Sequence, residues 1–179
     1  RMAWSVYYLS SLTLDPVSRL PGRTHMQVFL RRAISAMRSS RQAISLMLIN
    51  PDDFAMINCR HGRGRGDAAI REIAGSLEAT LRSTDGLFRY SGAVFAAVLP
   101  ATDLDQSRVT AEKVRRELSS HGYLDDDLPL TFSVGAAVAL PDDLENFDDL
   151  ERMLCDGADA ALNSARLSGG AQSRVTGLK

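Results

Sequence analysis

The heptapeptide RYSGAVF, Arg89 to Phe95, joins two short apolar runs, DGLF before it and AAVLP after it. A Ser-Gly pair between β-forming flanks is the signal of a two-residue hairpin, because glycine tolerates the positive φ that such a turn demands. Around this hairpin, strand-like and helix-like segments alternate, and the interruption decides the topology. The expectation is an α/β (α+β) domain with a mixed central sheet of about five strands, flanked by helices.

The flanking segments are read from their periodicity. An amphipathic stretch, Ala3 to Leu12, precedes the turn-rich DPVSRLPGR, and THMQVFLRRAISAMRSS then repeats apolar residues at helical spacing. SLMLIN, Ser45 to Asn50, reads as a buried strand ended by Pro51. PDDFAMIN reads as a helix opening on that proline. HGRGRGD reads as a glycine-rich loop before the helix DAAIREIAGSLEATLR. A helix through QSRVTAEKVRRELSS, a strand LTFSVGAAVAL and a helix from Asp143 to Gly169 follow. The tail SRVTGL is placed as an edge strand, and no linker divides the chain.

Composition excludes whole classes of function. The 179 residues carry a net charge of −1, too little excess cation for a broad nucleic-acid or membrane footprint. Lysine occurs only at positions 113 and 179, so Arg supplies nearly all the positive charge. Cys59 and Cys155 lie far apart, as do His25, His61 and His121, which gives no zinc or disulfide framework and suits a reducing, cytoplasmic setting. No apolar run reaches the ~20 residues of a membrane span. The acidic run Asp125-Asp126-Asp127 reads as a solvated loop.

Six local patterns occur in order: DPVSRLPGR, INPDDFAMIN, HGRGRGD, FRYSGAVFAAVLP, LTFSVGAAV and ADAALNSARLSG. Together they resemble the GGDEF domain of bacterial diguanylate cyclases. The resemblance runs from about Leu14 to Val175, so residues 1–13 are taken as a linker or signalling helix and 14–179 as a degenerate GGDEF domain. Active members of that family join two GTP molecules into cyclic di-GMP with two magnesium or manganese ions. An Asp ending the first strand and the acidic third residue of the signature hold those ions, since hard divalent cations need anionic oxygen. Here these positions are Asn50 and Ala93, the following Glu is Val94, and the first glycine is Ser91. Asp52 or Asp53 would hold at best a single, loosely bound ion. The resemblance therefore implies no catalysis, no metal and no required cofactor.

The resemblance also implies two retained binding positions. Guanine in the family is read by an Asn and an Asp that correspond to Asn58 and Asp67, with a phosphate-binding Lys matched by Arg166 and no counterpart for the next Arg at Gly170-Ala171. Capping of their helices would explain Asn58 and Asp67 equally well. Many members also carry an inhibitory product site, R-x-x-D, nine residues before the signature. Arg82-Ser-Thr-Asp85 stands at that offset and is the chain's single R-x-x-D, while AEKVRREL supplies Arg115 for the A-E-x-x-R helix. A guanidinium matches guanine O6 and N7, or phosphate oxygens. Arg82, Asp85 and Arg115 thus point to a cyclic di-GMP receptor, with a ligand-linked homodimer or neighbouring domains as further partners. The rivals are a GTP sensor at Asn58 and Asp67, a purely structural dimerisation scaffold, and a weakened cyclase.

Overall fold

The computed structural model describes residues 14–123, 130–141 and 149–178. The expected amphipathic segment before Leu14, the Asp125–Asp127 run and the start of the last helix lie outside them. Five strands form one sheet in the order β2-β3-β1-β4-β5: β1 (Ile44–Pro51), β2 (Gly86–Ser91), β3 (Val94–Pro100), β4 (Phe132–Ala139) and β5 (Ser173–Gly177). All pairs are antiparallel except β4 with β5, so the sheet is mixed. The helices are α1 (Arg23–Ser40), α2 (Phe54–His61), α3 (Arg63–Thr80), α4 (Leu104–Ser120) and α5 (Leu150–Leu167).

β1 lies at the centre, and its side chains alternate between two cores as a strand of period two requires. Met47 and Ile49 join Phe95, Phe132 and Val134 under α3 and α4. Leu46 and Leu48 join Met26, Leu30, Phe88 and Leu154 under α1 and α5. Both faces are covered, which is why ISLMLINP is apolar almost without a break. On β4 the α5-facing side is small, with Gly135, Ala137 and Ala139. A Cβ at Gly135 would lie 2.0 Å from Leu162 N and 2.7 Å from Ala158 O, so glycine is what lets the helix approach the strand.

Three local expectations change. Pro51 does not open a helix: it ends β1, paired with Phe132, and α2 starts at Phe54 after Asp53 in the left-handed region (φ 52°). Sheet pairing overrides the proline preference. The glycine-rich stretch is mostly helical, because α3 begins at Arg63 and the break from α2 falls on Gly62 (φ 81°). The hairpin turn is Gly92-Ala93 rather than Ser91-Gly92, since Ser91 pairs with Val94 across an irregularity at Arg89/Ser91 that takes up one residue.

Replacing Gly135 by Ala is expected to destabilise the fold by about 1–3 kcal/mol or more, because backbone atoms cannot yield to the added methyl. The urea midpoint reads this directly, and an unchanged midpoint would show that α5 moves freely on β4.

Candidate functional site

The C-terminal end of β1 and the turn after α5 meet at the end of the sheet that also carries the hairpin tip. There a cleft of about 510 Å³ is lined by Asp52, Asp53, Asn163, Arg166, Leu167, Gly169 and Gly170. Asp52 organises it. Its Oδ1 accepts from Ser133 Oγ (2.7 Å), and its Oδ2 accepts from Thr131 Oγ1 (2.8 Å) and from the Ala171 backbone N–H (2.9 Å). Gly170, at φ 71°, packs so closely that a Cβ would stand 3.1 Å from Asp52 Oδ2. The carboxylate is thus committed to joining β1, β4 and the turn after α5.

The Asn50 amide donates to the Pro51 carbonyl at 3.0 Å. Ala93 packs against one core and Val94 against the other. Among the described residues no three His, Cys, Asp or Glu side chains gather as a metal would need. A neutral amide, a methyl group and one carboxylate that already accepts three hydrogen bonds do not fit a pair of hard divalent cations.

Asn58 and Gly66 are brought together where α2 and α3 adjoin, and Asp67 follows Gly66 on the exposed side. A methyl at Gly66 would lie 1.9 Å from Asn58 Oδ1, so glycine makes room for that amide. The capping explanation does not hold for Asp67, which is the fifth residue of α3, nor for Asn58, which lies within α2. Arg166 sits apart from both, exposed on the cleft wall. A further residue escaped the sequence reading: Arg89, on the same sheet face as Leu87 and Phe95, lies with its Cζ 5.0 Å from the Phe95 ring centroid.

Arg82 and Asp85 form a turn just past α3. The Arg82 backbone N–H donates to Asp85 Oδ2 at 2.9 Å, and the Asp85 N–H returns a bond to the Arg82 carbonyl at 3.0 Å. Asp85 is buried, and burial raises its pKa against the lowering effect of Arg82's backbone bond and charge. Arg82 itself is exposed. Arg115 is not directed at this turn. Its Nε and Nη2 grip Glu112, whose Oε2 also accepts from Ser173 of β5, so Arg115 belongs to an α4–β5 junction. Lys113 faces the other way, about 200° around the helix, and donates to the Thr80 carbonyl at 3.3 Å. Lys113 thus meets α3 two residues before Arg82.

On the opposite sheet face, Tyr90 donates to Asp159 (3.0 Å) beneath the Arg23 guanidinium, 4.6 Å from the ring centroid. Burial first, then the Asp159 bond, pushes that phenol up to about 12.

The mixed sheet flanked by helices is an α/β fold that matches GGDEF structures. Residues 12–172 match the family model "Diguanylate cyclase, GGDEF domain", and the chain belongs to that family. Diguanylate cyclase DgcM of Escherichia coli K12 is 34% identical over 125 residues, 70% of this chain and 30% of its own. Diguanylate cyclase DosC of the same strain is 28% identical over 159 residues, 87% of this chain and 33% of its own, so the chain spans about a third of these relatives. Among solved structures, the coiled coil and GGDEF domain of DgcB from Caulobacter crescentus in complex with c-di-GMP superposes with a TM-score of 0.79 at 27% identity, covering 93% of this chain and 85% of that one. Diguanylate cyclase SiaD from Pseudomonas aeruginosa, solved with its activator SiaC, gives 0.81 at 26% identity, covering 96% and 64%.

Glu112 supplies a pH test of the α4–β5 junction. The Arg115 hydrogen bonds, then the Arg116 and Ser173 contacts, outweigh burial and hold its carboxyl at about 2, below its ordinary 4.5. A depressed folded-state pKa contributes stability that is present above pH 4.5 and is lost as pH falls towards 2. Glu112→Gln is expected to flatten the stability curve in that window, as acid titration of the melting temperature would show. An unaltered acid limb would mean that the cluster is fully screened by water.

Proposed function

We propose that this domain is a GGDEF module without cyclase activity, serving as a receptor for cyclic di-GMP at the turn after α3. The observation that carries the proposal is the Arg82–Asp85 turn itself. It is pinned in both directions by its own hydrogen bonds, it presents Arg82 to solvent, and α4 places Lys113 against the residue that leads into it. Asp85 serves by fixing the turn rather than by offering an open carboxylate. Recognition thus rests on Arg82 for a guanine edge or a phosphate, and on Lys113 as a point charge for a second phosphate. The DgcB neighbour, a GGDEF domain solved with c-di-GMP, supports the ligand class.

The absence of catalysis is supported by chemistry at the other end of the sheet. Phosphoryl transfer between two nucleotides needs metal ions to neutralise developing charge. Asn50, Ala93 and Val94 offer no anionic oxygen, and Asp52 is already held by three donors. A second reading, a GTP sensor at Asn58 and Asp67, draws on the junction of α2 and α3, where Gly66 clears space for the Asn58 amide. A ligand bridging two copies, or this domain and its neighbours in a longer chain, would turn binding into output.

Isothermal titration with cyclic di-GMP tests the receptor. Arg82→Ala is expected to lose roughly 10–100-fold in affinity, the scale of a hydrogen bond to a charged group. Lys113→Ala should lose less, and Arg115→Ala should bind as the unaltered chain does. Absence of heat with the unaltered chain, or full affinity in Arg82→Ala, ends the proposal. Incubation with GTP and manganese is expected to yield no cyclic di-GMP by chromatography, and a product peak would contradict the non-catalytic half.

A further inference from the structure

A groove of about 420 Å³ runs between α3 and α4, a volume within the range of small-molecule sites. Gly75, Ser76 and Ala79 of α3 form one wall, and Glu117 and His121 at the end of α4 form the other. Thr80 stands at the end nearest the Arg82 turn. Lys113 Nζ donates to its carbonyl at 3.3 Å, and Arg82 follows two residues on. The Thr80 hydroxyl donates to the Ser76 carbonyl at 2.8 Å, so the α3 wall is built of short side chains and turns that polar group back on itself.

The α4 wall carries the chemistry of the groove. Glu117 follows Lys113 by one helical turn, about 6 Å along the axis, so the two share the face turned to α3. Its carboxylate is exposed, whereas Glu112, earlier on the same helix, is gripped by Arg115 and Arg116 and also accepts from Ser173. Glu72, the other acid on the groove, lies eight residues before Thr80, about 12 Å from the turn, and has interactions of its own. His121 bounds the end away from the turn, its ring held edge-on against buried Tyr123 with centroids 5.0 Å apart.

We propose that Glu117 is the guanine-selecting residue of the Arg82 site, accepting from N1–H and the exocyclic amine of a base laid over Gly75 and Ala79. The inference rests on the receptor reading and deepens it. A carboxylate only accepts, and the Watson–Crick edge of guanine presents it with two adjacent donors. Asp85 is nearer to Arg82 in sequence but cannot fill that role, because it is buried and its Oδ2 closes the turn. Adenine offers one donor beside a bare lone pair, which leaves the second carboxylate oxygen facing an acceptor and rejects the base. The groove therefore takes a guanine cyclic dinucleotide, with Arg82 and Lys113 left for its phosphates.

Titration of cyclic di-GMP and of cyclic di-AMP into the unaltered chain and into Glu117→Gln tests it. Glu117 is exposed on a helix, so the substitution carries little risk to folding. Glu117→Gln is expected to lose about ten-fold in affinity for cyclic di-GMP, the scale of a hydrogen bond to a charged group. It should hold or gain affinity for cyclic di-AMP, since an amide both donates and accepts. Charge alone predicts a different result: removing a negative group beside an anionic ligand would tighten both dinucleotides. If the unaltered chain binds cyclic di-GMP and Glu117→Gln binds it as well or better, the role of Glu117 is overturned and the receptor stands. If the unaltered chain binds no cyclic di-GMP, the receptor falls and this inference falls with it.

Discussion

A single carboxylate holds the functional end of this domain together. Asp52 stands just past the central strand and accepts from Thr131 and Ser133 at the start of β4 and from Ala171 after α5. Three donors on one carboxylate tie three otherwise independent segments. Through it the cleft walls, the turn at Gly170 and the start of β5 are fixed. The same bonds employ both oxygens of that acid in structure.

The two ends of the sheet differ in chemistry. Around the hairpin tip, neutral and apolar groups occupy the positions where charge would be stabilised, and they pack into the cores rather than face a ligand. Beyond α3, a turn closed by its own carboxylate keeps an arginine in solvent and a lysine beside it. The two regions share the scaffold but no side chain.

How much of this was legible in the sequence depends on what sets each feature. The mixed sheet was readable because apolar periodicity and a glycine turn act locally, and β1 is apolar on both faces as its burial demands. Local boundaries were less so. The extra residue in β2 moved the turn by one, strand pairing retained Pro51, and the Asn58 side chain against Gly66 accompanies a helix where glycines suggested a loop. Site positions were readable as offsets from the signature, but the employment of each side chain was not. Nothing in AEKVRREL says that Glu112 will claim Arg115 and leave Lys113 to face α3, because that choice is made by the rotation of α4 against β5. Nor does RSTD reveal that its Asp is consumed by the turn it closes.

The central claim is that a cyclic dinucleotide binds at the α3 turn, away from the cleft held by Asp52. Equilibrium dialysis of labelled cyclic di-GMP, with and without excess GTP, puts this to the test most directly. The account predicts retention of the label that GTP leaves undiminished. No retention, or displacement by GTP, would contradict it.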